Sequence, residues 1–252
     1  MKQEVSQRLL WLNDQFYQTF AIQFSATRQR LQPGVRRMIE TFPDPARILD
    51  IGCGNGELAR QLTARGQRGE YVGLDNSPGL LEIARRTPSP GPGTHLETVF
   101  DQADLSKPDW DKMLGDKTFD VICAFAVLHH IPGETLREAI ISKLTARLAG
   151  GGVFIHSEWQ FLNSQRLRER IQPWETINLL DTQVDPGDYL LDWRGGGSGL
   201  RYVHQFSSSE LSRLAENAGL CIQSEFKSDG ENGQLGLYQV WKRDTGLQDC
   251  SV

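Results

Sequence analysis

Apolar residues fall along this chain in short runs separated by amphipathic stretches, and the runs recur in a regular rhythm. Ala46-Arg47-Ile48-Leu49, Glu70-Tyr71-Val72-Gly73-Leu74 and Leu96-Glu97-Thr98-Val99-Phe100 read as three strands. Residues 119 to 128 are almost continuously apolar, as in a central parallel strand buried on both faces, and Val153-Phe154-Ile155-His156 supplies a fifth strand. Helices are predicted to open at Glu57-Leu58-Ala59 and behind Ser77-Pro78. A third should run from about Glu134 to Leu148, closed by Ala149-Gly150-Gly151-Gly152, and a fourth from Ser207 to about Ala218, stopped by Gly219. Strands alternating with helices predict an α/β fold with a doubly wound, mostly parallel sheet. Two last apolar runs, 220 to 226 and 235 to 241, flank the turn-rich Asp229-Gly230-Glu231-Asn232-Gly233. They predict a hairpin that gives the sheet an antiparallel edge strand.

The remaining segments divide the chain without suggesting a second domain. Residues 1 to 42 read as a helical cap over the ligand mouth, with apolar positions at Leu9, Leu10, Phe16, Phe20 and Phe24. The core spans 43 to 158. Within it, residues 87 to 94 form a stiff Pro/Gly surface loop. Residues 159 to 206 read as an irregular insertion before the last helix, broken by Pro173, Pro186 and Gly195-Gly196-Gly197. The C-terminal helix and strands occupy 207 to 243, and 244 to 252 is a flexible tail.

The candidate chemistry sits where the first strand ends, at Asp50-Ile51-Gly52-Cys53-Gly54-Asn55-Gly56. Glycines let the backbone turn sharply and approach a ligand closely. The spacing is G-x-G-x-G behind an acid, not the G-x-G-x-x-G of dinucleotide sites. A carboxylate there would repel a pyrophosphate, whereas it suits a ligand carrying an ammonium and a sulfonium, such as S-adenosylmethionine. Asp75, 25 positions later, ends the second strand, where an acid can accept hydrogen bonds from two ribose hydroxyls. It could equally just begin the turn that caps the next helix. Asp104 could accept from an adenine amine or be a solvated loop acid. The fourth strand leads into His129-His130-Ile131-Pro132. Adjacent histidines point in different directions, so at most one should face a ligand.

Composition narrows the picture modestly. The chain has 252 residues and a net charge of −5, so there is no global attraction to nucleic acid. No apolar stretch approaches the roughly 20 residues of a membrane span, and Met1-Lys2-Gln3-Glu4-Val5-Ser6 offers no apolar signal core. A cytoplasmic location is therefore expected. Cys53, Cys123, Cys221 and Cys250 show no C-x-x-C spacing, and buried free thiols are the expected reading. No Asp/His/Cys set stands at ligand spacing, so no metal is predicted.

Taken together, residues 46 to 158 resemble the class I S-adenosylmethionine-dependent methyltransferases, with their Rossmann-like sheet. Two further segments sharpen the likeness: Phe24-Ser25-Ala26-Thr27-Arg28 and Arg201-Tyr202-Val203-His204-Gln205-Phe206. With them, residues 13 to 243 look like the eukaryotic tRNA methyltransferases that esterify 5-carboxymethyluridine at the wobble position. They also look like the methyltransferase part of the AlkB-type tRNA hydroxylase. The chain departs from that pattern at Gln23, at Val203 and in Glu134-Thr135-Leu136-Arg137. The resemblance implies S-adenosylmethionine as methyl donor, a tRNA acceptor and a small zinc-binding activator protein as a possible partner.

The donor-binding residues are then Tyr17, Arg28, Asp50, Gly52, Cys53, Gly54, Gly56, Asp75, Asn76, Asp104 and Phe125. The candidate catalytic residues are His129, Arg201 and His204. Arg201 would grip a carboxylate acceptor with its guanidinium fork, or be a surface arginine. An amine, phenol or hydroxyl acceptor would instead call on His129, His130 or His204 as base. Arg28, Arg30, Arg36 and Arg37 in the cap, and Arg166, Arg168 and Arg170 in the insertion, could form a phosphate-contacting rim or merely solvated helix faces. A small-molecule O- or N-methyltransferase and a non-catalytic donor-binding scaffold are the alternatives to the tRNA reading.

Overall fold

Seven strands form one sheet in the order β3-β2-β1-β4-β5-β10-β9. This computed structural model describes residues 1–26, 30–86, 95–195 and 197–244, the side chain of Phe24 excepted. Arg28, the 87–94 loop, Cys250 and the tail beyond Asp244 therefore lie outside the described residues. The strands β1 (Ala46–Ile51), β2 (Gly69–Asp75), β3 (Leu96–Gln102), β4 (Phe119–Phe125) and β5 (Leu148–Trp159) run parallel to one another. From β1 the sheet grows outward through β2 and β3, then reverses to β4 on the other side. Ligands of such sheets bind at that reversal, beyond the carboxyl ends of the strands.

Alternation explains why these strands read as unbroken apolar runs. Leu49, Ile51, Ile122, Ala124 and Phe154 face one core with Ile140, Ile141 and Leu144 of α5 (Glu134–Arg147) and Leu211 and Leu214 of α7 (Ser208–Asn217). Their neighbours Ile48, Val121, Cys123 and Ile155 face a second core. There they meet Met38 of α2 (Pro33–Ile39), Leu62 of α3 (Glu57–Ala64) and Leu81 of α4 (Pro78–Arg85). Helices thus cover both faces.

Two expectations need correction, and the antiparallel edge gains a detail. The run Ala149-Gly150-Gly151-Gly152 does not close α5 but enters β5, where the register against β4 shifts between Phe119 and Val121. The hairpin of β9 (Leu220–Ser228) and β10 (Gly236–Arg243) supplies the antiparallel edge as expected, but the final strand lies one place in from it, between β5 and β9. The insertion is not irregular. After α6 (Gln165–Arg168) it builds a second antiparallel sheet from β6 (Ile171–Gln172), β7 (Asp188–Trp193) and β8 (Gly199–His204). Pro173, Pro186, Gly195 and Gly197 lie between the strands, so these breakers in the sequence marked turns of a small sheet.

The helix α1 (Gln3–Ala26) is one long element kinked at Phe20. Its Val5 and Leu9 pack with Leu190 and Tyr202 of the second sheet, and its Asp14 accepts a hydrogen bond from Asn76 at the end of β2. The cap therefore ties the insertion to the mouth of the main sheet. Cys53 and Cys123 are free and buried, whereas Cys221 is disulfide-bonded, which departs from the free-thiol reading. No helix among the described residues is long and apolar enough to cross a membrane.

Candidate active site

All three glycines of the turn after β1 have left-handed backbones, with φ of 68° at Gly52, 56° at Gly54 and 77° at Gly56. Their surroundings differ. A Cβ on Gly52 would strike Val127, and one on Gly56 would meet Ala84, but one on Gly54 would enter open space. Gly54 therefore faces the cavity. Gly56 packs against Ala84 and Phe100 instead of a ligand, which corrects its assignment to the donor site.

Two acids flank this turn. Asp75 accepts from the backbone N–H of Gly54 at 2.9 Å and of Ser77 at 2.8 Å, while Ser77 itself caps α4 through Leu80. Asp75 thus braces the turn while also lining the cavity. Burial pushes its carboxyl up against the pull of those amides. Asp50 is buried and takes a 2.5 Å hydrogen bond from the Tyr71 hydroxyl. Burial raises Asp50 to about 7, the Tyr71 bond opposes the shift, and the Asp75 charge adds to it.

The Cys53 thiol is pushed well up by burial and serves as a neutral wall. Asp104 also lines the cavity, although one of its oxygens is held by the backbone and hydroxyl of Ser106. The Asn76 amide donates to Asp14 of α1, and Phe125 ends β4 on the cavity surface.

Across the cavity, β8 presents Arg201. It is 6% exposed, with its guanidinium 4.8 Å from the Trp159 ring, 5.4 Å from Phe16 and 5.5 Å from Trp193. Aromatic faces attract and orient such a cation while withholding water from it. Asn13 fixes the neighbouring peptide: its Oδ1 accepts from the Tyr202 N–H at 2.8 Å, and its Nδ2 donates to the Tyr202 carbonyl at 3.1 Å. The Tyr17 hydroxyl meets His130 Nε2 at 2.7 Å, and His130 Nδ1 faces the Tyr202 carbonyl at 3.3 Å.

The histidines sort differently from expectation. His129 is buried, with Nδ1 2.9 Å from Glu158, a fully buried carboxylate that also meets His156 at 3.0 Å. Burial works against the Glu158 charge, but the two imidazoles outweigh it and hold its carboxyl below the usual range. His204 has both ring nitrogens against carboxylates, Nδ1 2.7 Å from Asp188 and Nε2 3.0 Å from Glu210. A ring so occupied offers no lone pair to accept a proton, so the geometry does not support the base assignment of His204.

One cavity of about 2050 Å³ brings together Tyr17, Asp50, Gly52, Cys53, Gly54, Asp75, Asn76, Asp104, Phe125, His129, Arg201 and His204. That is roughly twice the upper end for small-molecule pockets, leaving room for a second, sizeable ligand. Sequence reasoning missed Asn13, Glu158, Trp159, Trp193 and Asp188, because nothing local marks a residue whose partner lies on a distant element.

Comparisons with known proteins give the family and the fold. A family model described as a methyltransferase domain matches residues 24–225. A tRNA (carboxymethyluridine(34)-5-O)-methyltransferase of Schizosaccharomyces pombe is 26% identical over 222 residues, covering 81% of this chain and 86% of that protein. A trans-aconitate 2-methyltransferase of Acidovorax ebreus is 33% identical over 126 residues, covering 50% of this chain and 43% of that protein. Among solved structures, a methyltransferase from Methanosarcina mazei shares the fold, with a TM-score of 0.64 at 22% identity over 84% of this chain and 98% of the other.

Proposed function

The chain belongs to the S-adenosylmethionine-dependent methyltransferases, and from that premise we propose that it methylates a carboxylate, that of 5-carboxymethyluridine at the tRNA wobble position. One observation carries the carboxylate: Arg201, buried among three aromatic rings, faces the cavity that also holds the glycine turn and its two acids. Its fork matches a carboxylate bidentately, and its desolvation strengthens the grip. The relative supporting tRNA is similar over most of both chains, whereas the trans-aconitate enzyme is matched over half of this one. Both names specify an acidic acceptor. The size of the cavity favours the larger one.

S-adenosylmethionine supplies a methyl group on a cationic sulfur. The residues present suit it: Gly54 leaves room, Asp75 would accept from the ribose hydroxyls, and Asp50 would face the ammonium group. The protein's task is then orientation and exclusion of water. A carboxylate is already nucleophilic at neutral pH, so no side chain need remove a proton. Arg201 holds and selects it, and Trp159 and Trp193 keep that contact dry. Exposed Arg30, Arg166 and the half-buried Arg170 line the same cavity and suit a phosphate backbone, so tRNA binding should weaken steeply with salt.

The test is incubation with labelled S-adenosylmethionine and total tRNA lacking wobble esters, followed by nucleoside analysis, with trans-aconitate in a parallel arm. Label in the ester of 5-carboxymethyluridine supports the proposal. Label in the free acid alone moves the function to a small-molecule acceptor, the second reading. Label only in amines or hydroxyls would end the carboxylate reading.

A further inference from the structure

The end of β8 beyond Arg201 enters a buried group of charges drawn from four elements. Asp188 Oδ1, on β7, accepts from the Tyr202 hydroxyl at 2.6 Å and faces His204 Nδ1 at 2.7 Å. Glu210, on α7, faces His204 Nε2 and also takes Arg137 Nη1 at 2.9 Å. Arg137, on α5, is 1% exposed, lies 3.9 Å from Asp188, and donates to the Tyr202 hydroxyl and to the Ile131 carbonyl. Arg213, paired with Glu134 on the surface, adds its field at Glu210.

Two carboxylates and one guanidinium leave a net negative charge, and the group balances only when His204 carries its own. The hydrogen bonding says the same. A neutral imidazole has one N–H and would turn a lone pair toward one of the two carboxylates. Burial opposes the charged ring, and the bonds to Asp188 and Glu210 outweigh it, raising the affinity of His204 for its proton.

We propose that His204 is a positioning residue: as the second cation of this group it pins β8 to β7 and α7, and thereby sets the Arg201 guanidinium for its acceptor. This rests on the carboxylate reading above. Arg201 and His204 lie three residues apart on one strand, with Tyr202 between them bonded to Asp188 on one side and clamped by Asn13 on the other. Loss of the His204 charge leaves two acids facing a neutral ring and loosens the end of the strand, while the donor side, built on β1 and β2, is untouched.

The sign of the pH dependence separates this role from that of a base. A base at position 204 must be neutral, so turnover would fall as pH drops. A pinning cation must be charged, so its contribution is complete below the unfolded value of about 6.5 and is lost as pH rises through the raised folded value. The experiment measures the acceptor KM and donor Kd against pH in the wild type, His204→Gln and Asp188→Asn. The wild type is expected to show an acceptor KM that climbs on the alkaline side. His204→Gln should raise that KM about tenfold or more, flatten the profile and leave the donor Kd unchanged. In Asp188→Asn the climb should begin at lower pH, because the ring has lost a carboxylate that favours its proton.

Hydrogen exchange at the Tyr202 amide, corrected for intrinsic rates and read with donor but no acceptor, decides the point separately from the identity of the acceptor. Its protection should fall with rising pH in the wild type and stay low in His204→Gln. Unchanged protection in His204→Gln, an acid-side loss of turnover in the wild type, or an alkaline climb that persists in His204→Gln would each overturn the proposal.

Discussion

The two walls of the cavity are built on different principles. The wall proposed for the donor is backbone: a glycine turn between β1 and α3, braced by Asp75 through the Gly54 and Ser77 amides within 27 residues of Asp50. The wall proposed for the acceptor is side chains, with Arg201 on β8 held against Phe16 of α1, Trp159 of β5 and Trp193 of β7. The first wall is set by φ angles that few residues other than glycine adopt, and the second by packing between elements that meet only in the folded chain. A donor common to a whole family suits a rigid backbone cradle, whereas acceptor choice can change with a few side chains.

The sharpest break between the walls should come from Gly54→Val. A branched side chain there must adopt φ of 56° and fill the space the donor needs. Donor binding should be abolished in calorimetry, with the fold checked by circular dichroism. Unchanged affinity in a folded variant would remove the glycine turn from the site.

On the other wall, Arg201→Ala should cost about 2–5 kcal/mol in kcat/KM for the acceptor, the range for truncating one member of a buried charge pair. Arg201→Lys should fall between it and wild type, because the charge remains and the fork is lost. Donor affinity should be nearly constant across the three proteins. A fall in donor affinity that parallels turnover would merge the two walls into one.

A smaller loss is expected for Asp75→Ala, about 1.5–3 kcal/mol of donor affinity, the scale of hydrogen bonds to a charged group. Acceptor KM at saturating donor should hardly move. If Asp75 served only the turn, the variant would lose thermal stability and keep its donor affinity once folded.

The mildest test uses pH. Asp50 in the free protein titrates near 7, and a cationic donor favours its ionised form. Donor affinity should therefore increase as pH rises toward about 7 and level off above it, with at most about 1.4 kcal/mol per pH unit at stake. Binding below that value should release a proton, measurable as a buffer-dependent calorimetric heat. Asp50→Asn should remove both effects. An affinity that falls as pH rises from 5 to 7 would show that Asp50 does not face the donor's charge.

Read from the sequence, Asp50, Gly52, Gly54 and Asp75 stand at the ends of the first two strands, and the fold brings all four to the lining of one cavity. Only the direction each glycine faces was missing, so Gly56 was assigned to the ligand although its neighbours are Ala84 and Phe100. On the opposite wall, Arg201 was named from the sequence and faces the cavity among three aromatic rings. His204 stood in the same motif but turned toward Asp188 and Glu210, and His129 toward Glu158. The insertion sheet was hidden because strands of two to six residues, separated by prolines and glycines, leave no periodic signal.

The sequence by itself determined the alternation of strand and helix, the two-faced burial of the central strands, and the turn that opens toward a ligand. These follow from side-chain period and from the backbone freedom of glycine, which act within a few residues. Only the tertiary structure decided how the acceptor side is assembled. Asn13 reaches Tyr202 across 189 positions, and Tyr17 reaches His130 across 113. A hydrogen bond of that kind depends on where two elements dock, and docking is settled by the packing of the whole core and not by the residues on either side of the bond.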